Sequence, residues 1–146
     1  GFEAPAYKSW AQRNRSDLIR IPEFKPGQEI HTRIEYRSPD PACNPYLAFA
    51  VMLAAGLDGI ENERQPPDPV ELNVYEMDEA ERSIRGIDTL PGSLIEAIEE
   101  AETSAFMRSA LGDHVFESLI QNKRIEWERY RRHITDFELR EYLPIL

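Results

Sequence analysis

Arg33, Glu35 and Arg37 fall on alternate positions of the run Arg33-Ile34-Glu35-Tyr36-Arg37. In an extended strand, residues two apart share a face. The three charges then project together, and Ile34 and Tyr36 face the core. A guanidinium grips phosphate or carboxylate oxygens at two points, and a carboxylate between two of them can hold a hard cation. A solvated strand face with weak cross-strand ion pairs accounts for the same five residues. The pentapeptide alone does not choose between these readings.

The elements around this run are extended. Leu18-Ile19-Arg20-Ile21-Pro22 is a short β-rich stretch stopped by proline, and Pro26-Gly27 marks a turn. Thr32 to Arg37 reads as the next strand. Antiparallel pairing of the two would bring Arg20 to the side of Arg33. Residues 1–43 are thus expected to form an extended segment, closed by Ser38-Pro39-Asp40-Pro41.

Beyond this segment the pattern turns helical. Asn44 is a candidate N-cap with Pro45 in the first turn. Residues 45–57 are apolar nearly all round, which predicts a buried helix, with Gly56 and Gly59 at its end. Residues 61–92 are acidic and carry Gln65-Pro66-Pro67-Asp68-Pro69, so a long surface loop is expected there. Ser93 with Glu96 is a capping-box pattern for a short helix to about Thr103. A second helix spans roughly Ser104–Leu111, and a third runs from an Asp113 cap to about Arg132. Phe116, Leu119, Ile120, Trp127, Tyr130 and Ile134 sit near helical spacing and read as core. Gln121, Arg124, Glu128 and Arg132 take the opposite side. The apolar residues of the tail from Phe137 to Leu143 are hard to bury locally, which suggests docking on a neighbouring subunit.

Composition narrows the classes of function. The chain has 146 residues, 41% hydrophobic and 30% charged, as in a globular domain with a core. Net charge is −10, but residues 1–40 carry seven Lys/Arg against six Asp/Glu, and the remainder ten against twenty-one. Nucleic acid is excluded as a partner for the bulk of the chain. A small anion held by the early arginines is not. No apolar run approaches the roughly 18 residues of a membrane span. The lone Cys43 fits a reducing cytoplasm and reads as a small packing residue. Gly1-Phe2-Glu3-Ala4-Pro5, without an initiator Met, reads as the middle of a longer chain. There is no glycine-rich phosphate loop or zinc pattern, and His31, His114 and His133 are scattered.

Several segments resemble glutamine synthetase in order and spacing. They are Gly1-Phe2-Glu3-Ala4-Pro5, Arg13-Asn14-Arg15-Ser16 with Ile19-Arg20-Ile21-Pro22, Arg33-Ile34-Glu35-Tyr36-Arg37-Ser38-Pro39-Asp40-Pro41, and Asn44-Pro45-Tyr46-Leu47-Ala48-Phe49-Ala50 followed by Ala54-Ala55-Gly56-Leu57-Asp58-Gly59-Ile60. The likeness runs to Leu146 and is to the C-terminal third of the bacterial and archaeal class-I enzyme. It implies an α+β fold, part of the catalytic domain shared with guanido kinases, with short antiparallel strands at the N-terminal end and mostly helices after them. On this reading residues 1–43 form the extended active-site segment, 44–60 the buried helix, 61–92 the acidic loop and 93–146 the helical region and tail.

The resemblance implies ATP-dependent ligation of ammonia to L-glutamate through γ-glutamyl phosphate. Glu3 then looks like the carboxylate that closes the site, shields the acyl phosphate and helps deprotonate ammonium. Arg15, Arg20 and Arg33 match arginines on the ATP phosphates, and Arg15 also approaches the transferred group. Glu35 matches a ligand of Mg2+ or Mn2+. Arg37 matches the arginine that binds glutamate and steadies the phosphoryl group. Phosphoryl transfer needs alignment and charge stabilisation above all, which these residue types supply.

The family's other metal ligands, most of its glutamate pocket and its adenine-side residues lie upstream of Gly1, so the 146 residues alone are expected to be inactive. Ile30-His31-Thr32-Arg33 looks like the feedback-regulated branch. Tyr75 aligns with a tyrosine that is adenylylated in some members, but its neighbours look like the unmodified branch, so it is expected as an exposed loop residue. The resemblance also implies a cytoplasmic homododecamer with sites between subunits and the tail inserted into the facing ring. A γ-glutamyl–amine (polyamine) ligase of the same fold, a non-catalytic scaffold derived from it, and an autonomous binding module are the competing readings.

Overall fold

The computed structural model describes residues 4–12, 14–23 and 25–145. The fold is α+β: three short strands and six α-helices among the described residues. The chain divides into two compact units, Gly1–Leu90 and Pro91–Leu146.

In the first unit, β1 (Trp10–Gln12), β2 (Ile19–Ile21) and β3 (Glu35–Tyr36) form one sheet in the order β1-β2-β3. The alternating β-branched residues of Ile19-Arg20-Ile21 favour a strand, and Pro22 ends it by removing the next N–H. The antiparallel pairing of β2 with β3 is as expected, with Arg20 opposite Glu35 and Ile19 opposite Tyr36. β1, however, runs parallel to β2, with Ala11 opposite Arg20. Parallel neighbours usually need a long crossover. Here a short return suffices because each strand is three residues long and Asn14 ties the return down. Its Nδ2 donates to the carbonyls of Val70 (3.2 Å) and Leu72 (2.9 Å), and its Oδ1 accepts from Ser16 N (3.0 Å) and Ser16 Oγ (2.9 Å).

The strand expected over Thr32 to Arg37 is reduced to two residues. A 3-10 turn occupies Glu29–His31 before it. Nor do Ile34 and Tyr36 face a core: they are 64% and 39% exposed. A two-residue strand at a sheet edge offers that face too little cover.

The core of this unit comes from the acidic stretch. Val70, Val74, Met77 and Ile87 are buried together, and Tyr7 packs on them. The stretch also contains α2 (Glu79–Ile84), capped by Asp78 Oδ1 accepting from Glu81 N at 2.7 Å. The expected featureless loop is instead a compact structure with its polar residues outward. It is laced to the N-terminal segment: Lys8 N donates to Asp88 O, Leu90 N to Ala6 O and Val70 N to Trp10 O, at 2.7–2.8 Å.

Helix α1 (Pro45–Glu61) begins at the predicted cap, where Asn44 Oδ1 accepts from Tyr46 N and Leu47 N. It runs through Gly56 and Gly59 and ends at Asn62, where Arg64 forks onto Asp58 and donates its backbone N–H to Gly59 O. None of its residues is buried; Tyr46 is 84% exposed and Phe49 67%. The expectation of burial rested on apolarity alone, and nothing described in this unit covers the helix.

In the second unit, α3 (Leu94–Thr103), α4 (Ala105–Leu111) and α5 (Asp113–Tyr130) pack on one another. Ser93 and Ser104 cap the first two, each accepting a backbone N–H three residues on. The expected Asp113 cap is not made: Asp113 is the first residue of α5, and Gly112 takes the cap position at φ 76°, a backbone conformation that L side chains rarely adopt, with no side-chain cap. Phe116 is the buried centre, and the Arg108 guanidinium lies over its ring. Leu119, Ile120 and Trp127 are half-buried, but Tyr130 and Ile134 are exposed, because α5 stops at Tyr130, short of Arg132. On the other side of α5, Arg124 pairs with Glu102 of α3 and Arg132 with Glu128. Helix α6 (Asp136–Tyr142) opens on a full capping box between Thr135 and Glu138 and leaves Phe137, Leu139, Tyr142 and Leu143 exposed. No helix among the described residues is long and apolar enough to cross a membrane.

Candidate active site

The register of β2 on β3 brings Arg20 and Glu35 to one point. Arg20 Nε donates to Glu35 Oε2 at 2.8 Å and Nη2 to Oε1 at 2.7 Å, a two-point fork. Arg33 Nη2 approaches the same Oε1 at 4.0 Å. Arg20 holds the Glu35 carboxyl below the usual carboxylate range, and the charges of Arg33 and Arg37 act in the same direction. Glu35 in turn raises Arg20. Glu35 therefore stays ionised and is fixed in direction.

The two flanking arginines are placed differently. Arg33 lies outside β3 with its side chain 59% exposed, and its Nη1 donates to His31 O at 3.1 Å. It borders a cavity of about 360 Å³ shared with Ile21, Pro22, Lys25, Gln28 and His31. Arg37 turns toward the β1–β2 return, where its Nη1 donates to the carbonyls of Arg15 and, at 3.3 Å, of Asp17. The row of three side chains on one face is thus a cluster about Glu35 with Arg20 at its centre, Arg33 beside it and Arg37 holding the loop that carries Arg15. Arg15 is exposed. Glu3 lies outside the described residues.

The roles of Asn14 and Asp17 escaped the sequence reading. Asn14 fixes the loop of Arg15; the Asn-x-Ser spacing of Asn14 and Ser16 is the signal of such a turn. Asp17 is fully buried and neither of its oxygens finds a hydrogen-bond partner among the described residues. Burial raises its pKa and Glu71 pushes it further up, while the Ser9 hydroxyl and Arg37 pull it down. Tyr75 is an exposed loop residue as expected, 49% exposed, and its hydroxyl is engaged by the backbone of Ala4 and Ala6.

Among the described residues no three His, Cys, Asp or Glu side chains converge as a metal cage. Each Glu35 oxygen, taken once by Arg20, keeps a free lone pair on which a hard cation fits. The cluster can therefore give one anionic ligand to a cation and several cationic donors to anionic oxygens around it.

In the first unit a strand-borne carboxylate thus stands among arginines. The family described as glutamine synthetase, catalytic domain, matches residues 1–142. The chain is 49% identical over all its 146 residues to a glutamine synthetase of Methanosarcina mazei, and 50% identical over 143 residues to one of Thermotoga maritima. It spans about a third of the length of these relatives, 32% of each. In fold it matches a Plasmodium falciparum glutamine synthetase solved by cryo-electron microscopy, at a TM-score of 0.75 and 21% identity, over 97% of this chain and 35% of that one. The chain belongs to the glutamine synthetase catalytic-domain family, and its match is with the C-terminal portion of that domain.

Proposed function

We propose that this chain supplies the phosphate-side wall of an ATP-dependent glutamate–ammonia ligase, which forms L-glutamine through γ-glutamyl phosphate. The fork of Arg20 on Glu35 carries the reading. It holds one ionised carboxylate rigidly among guanidiniums, inside a stretch that matches the family from end to end.

Glu35 is the ligand this chain offers to Mg2+ or Mn2+. That cation, when bound, neutralises oxygens of the transferred phosphoryl group. Arg33 and Arg15, both exposed, are disposed to take ATP phosphate oxygens, and Arg20 serves the same wall through Glu35. Arg37 acts on glutamate and the travelling phosphoryl group while bracing the Arg15 loop. Glu3 shields the acyl phosphate and takes a proton from ammonium. The remaining metal and glutamate ligands, and assembly into a cytoplasmic dodecamer, belong to the whole protein.

The test is product analysis on the protein at the full length of its relatives, with glutamate, ATP, Mg2+ or Mn2+, and either ammonia or a polyamine. Glutamine from ammonia is expected. A γ-glutamyl-polyamine alone would replace the reading with an amine ligase, and no ATP-dependent product would end it. The 146 residues by themselves are expected to give no turnover, and measurable glutamine from them would contradict the division of ligands.

A further inference from the structure

Asp17 lies in the return between β1 and β2, two residues after Arg15 and two before Ile19. It has no exposed surface, and neither carboxyl oxygen has a hydrogen-bond partner among the described residues. The Ser9 hydroxyl acts on it and is itself buried without a partner. A carboxyl so placed is tolerated as the neutral acid. Once ionised it needs a cation, because an unpaired buried charge is costly. The charged groups that act on it are Glu71, from the acidic stretch, which repels the ionised form, and Arg37, just past β3, which attracts it. The Arg37 guanidinium already donates to the Arg15 carbonyl and, at 3.3 Å, to the carbonyl of Asp17 itself. The backbone around it is tied: Arg37 N donates to Leu18 O at 2.9 Å, and Ile19 N to Ser9 O at 3.1 Å. Arg37 can therefore change partner by a movement of its side chain alone.

We propose that Asp17 is a proton-controlled positioning residue for the loop of Arg15: neutral, it leaves the Arg37 guanidinium on the carbonyls of Arg15 and Asp17; ionised, it draws that guanidinium onto its carboxylate and releases the loop. Burial holds the Asp17 proton to higher pH than its ordinary value, and Glu71 adds to this. The handover therefore comes as pH rises above the ordinary carboxylate range, and the clamped loop is the low-pH form. Glu35, held ionised by Arg20, takes no part in it. The consequence for substrate rests on the proposed role of Arg15 at the ATP phosphates. Releasing its loop should weaken ATP binding.

The experiment follows the full-length enzyme and Asp17→Asn across pH by two measurements. In hydrogen exchange, corrected for the intrinsic effect of pH, the Ser16 amide, held by Asn14 Oδ1 at 3.0 Å, should lose protection in the wild type as pH rises. The Val70 and Leu90 amides should keep theirs. In steady-state kinetics, KM for ATP in the wild type should rise about 3- to 10-fold relative to the variant over the same pH range, the scale of one lost hydrogen bond. The kcat ratio of the two proteins should stay level. Asp17→Asn should keep the Ser16 amide equally protected throughout. A wild type and variant that share one exchange profile, or a KM ratio that does not move with pH, overturns the inference. Glu71→Gln keeps an oxygen for Gln12 N, which now donates to Glu71 Oε1 at 3.0 Å, and removes the repulsion. It should move the wild-type transition to lower pH, and an unmoved midpoint overturns the inference even where Asp17→Asn folds poorly. A full-length protein that consumes no ATP would instead sink the proposed function, and the exchange profiles would still decide whether Asp17 governs the loop.

Discussion

Glu35 receives both of its strong bonds from one side chain, and the choice of arginine for that partner matters. A lysine at position 20 would keep the charge but hold the carboxylate at a single point on a flexible stem. Partners that orient a metal ligand typically contribute 10- to 100-fold to metal affinity or activity. On the proposed role of Glu35 as a cation ligand, Arg20→Lys in the full-length enzyme should raise the Mg2+ concentration for half-maximal activity about tenfold, with the protein still folded. An unchanged Mg2+ titration would mean that the fork is only a strand tie. Asp17 makes a separate prediction, on stability. Its pKa is raised by burial from an ordinary 3.8, so the folded chain holds this proton to higher pH than the unfolded chain does. The unfolded state then binds fewer protons across that window, and stability falls as pH rises through it. Asp17→Asn carries no such penalty. Thermal melts should show the variant gaining on the wild type as pH climbs above the ordinary carboxylate range, and a constant difference would show that Asp17 does not titrate with folding.

At the scale of elements, capping chemistry was the most legible part of the sequence. Asn44-Pro45, Ser93 with Glu96, and Ser104 each start a helix where they were read, because a cap is a local event between a side-chain oxygen and a backbone N–H two or three residues on. The pairing of β2 with β3 was legible for a similar reason, since the turn at Pro26-Gly27 and the stop at Pro22 leave few ways to join two short runs. Burial was not legible. The apolar helix α1 lies open, while the acidic stretch with four prolines holds the core at Val70, Val74, Met77 and Ile87. Burial depends on what comes to lie against a face, and that is set by residues far away in sequence. The parallel placement of β1 depends on Asn14 reaching Val70 and Leu72, a contact across more than fifty residues that no local spacing announces. In the site, β3 is only two residues long, and Arg33 and Arg37 stand off the expected row. Glu35 owes its geometry to Arg20 instead.

At the scale of the whole molecule, two apolar surfaces lie open. One runs along α1 through Tyr46, Phe49, Leu53, Leu57 and Ile60; the other is the tail, where Phe137, Leu139, Tyr142, Leu143 and Ile145 are between 45% and 77% exposed. Exposed apolar surface on this scale is a mark of surfaces that other chain covers. The tail is the more easily tested of the two. Its helix α6 is closed at its N-terminus by Thr135 and Glu138 and is set beside the 3-10 turn Leu143–Ile145, so it is preformed and needs little ordering to bind. Burying its five large side chains at about 25 cal/mol per Å² yields several kcal/mol for each subunit that docks. In the proposed dodecamer a ring of subunits would multiply that contribution, because every tail would have to release before two rings part. In the full-length protein, deletion of residues 137–146 is therefore expected to leave the packing around Phe116 intact and the single-ring contacts in place. In the proposed dodecamer, the mass of the assembly, read by light scattering, should fall from a double ring toward a single one. Replacing Leu139 and Leu143 together by serine should do the same in a milder form, with separation appearing first on dilution. An assembly whose mass is unmoved by the deletion would assign the tail no part in joining rings.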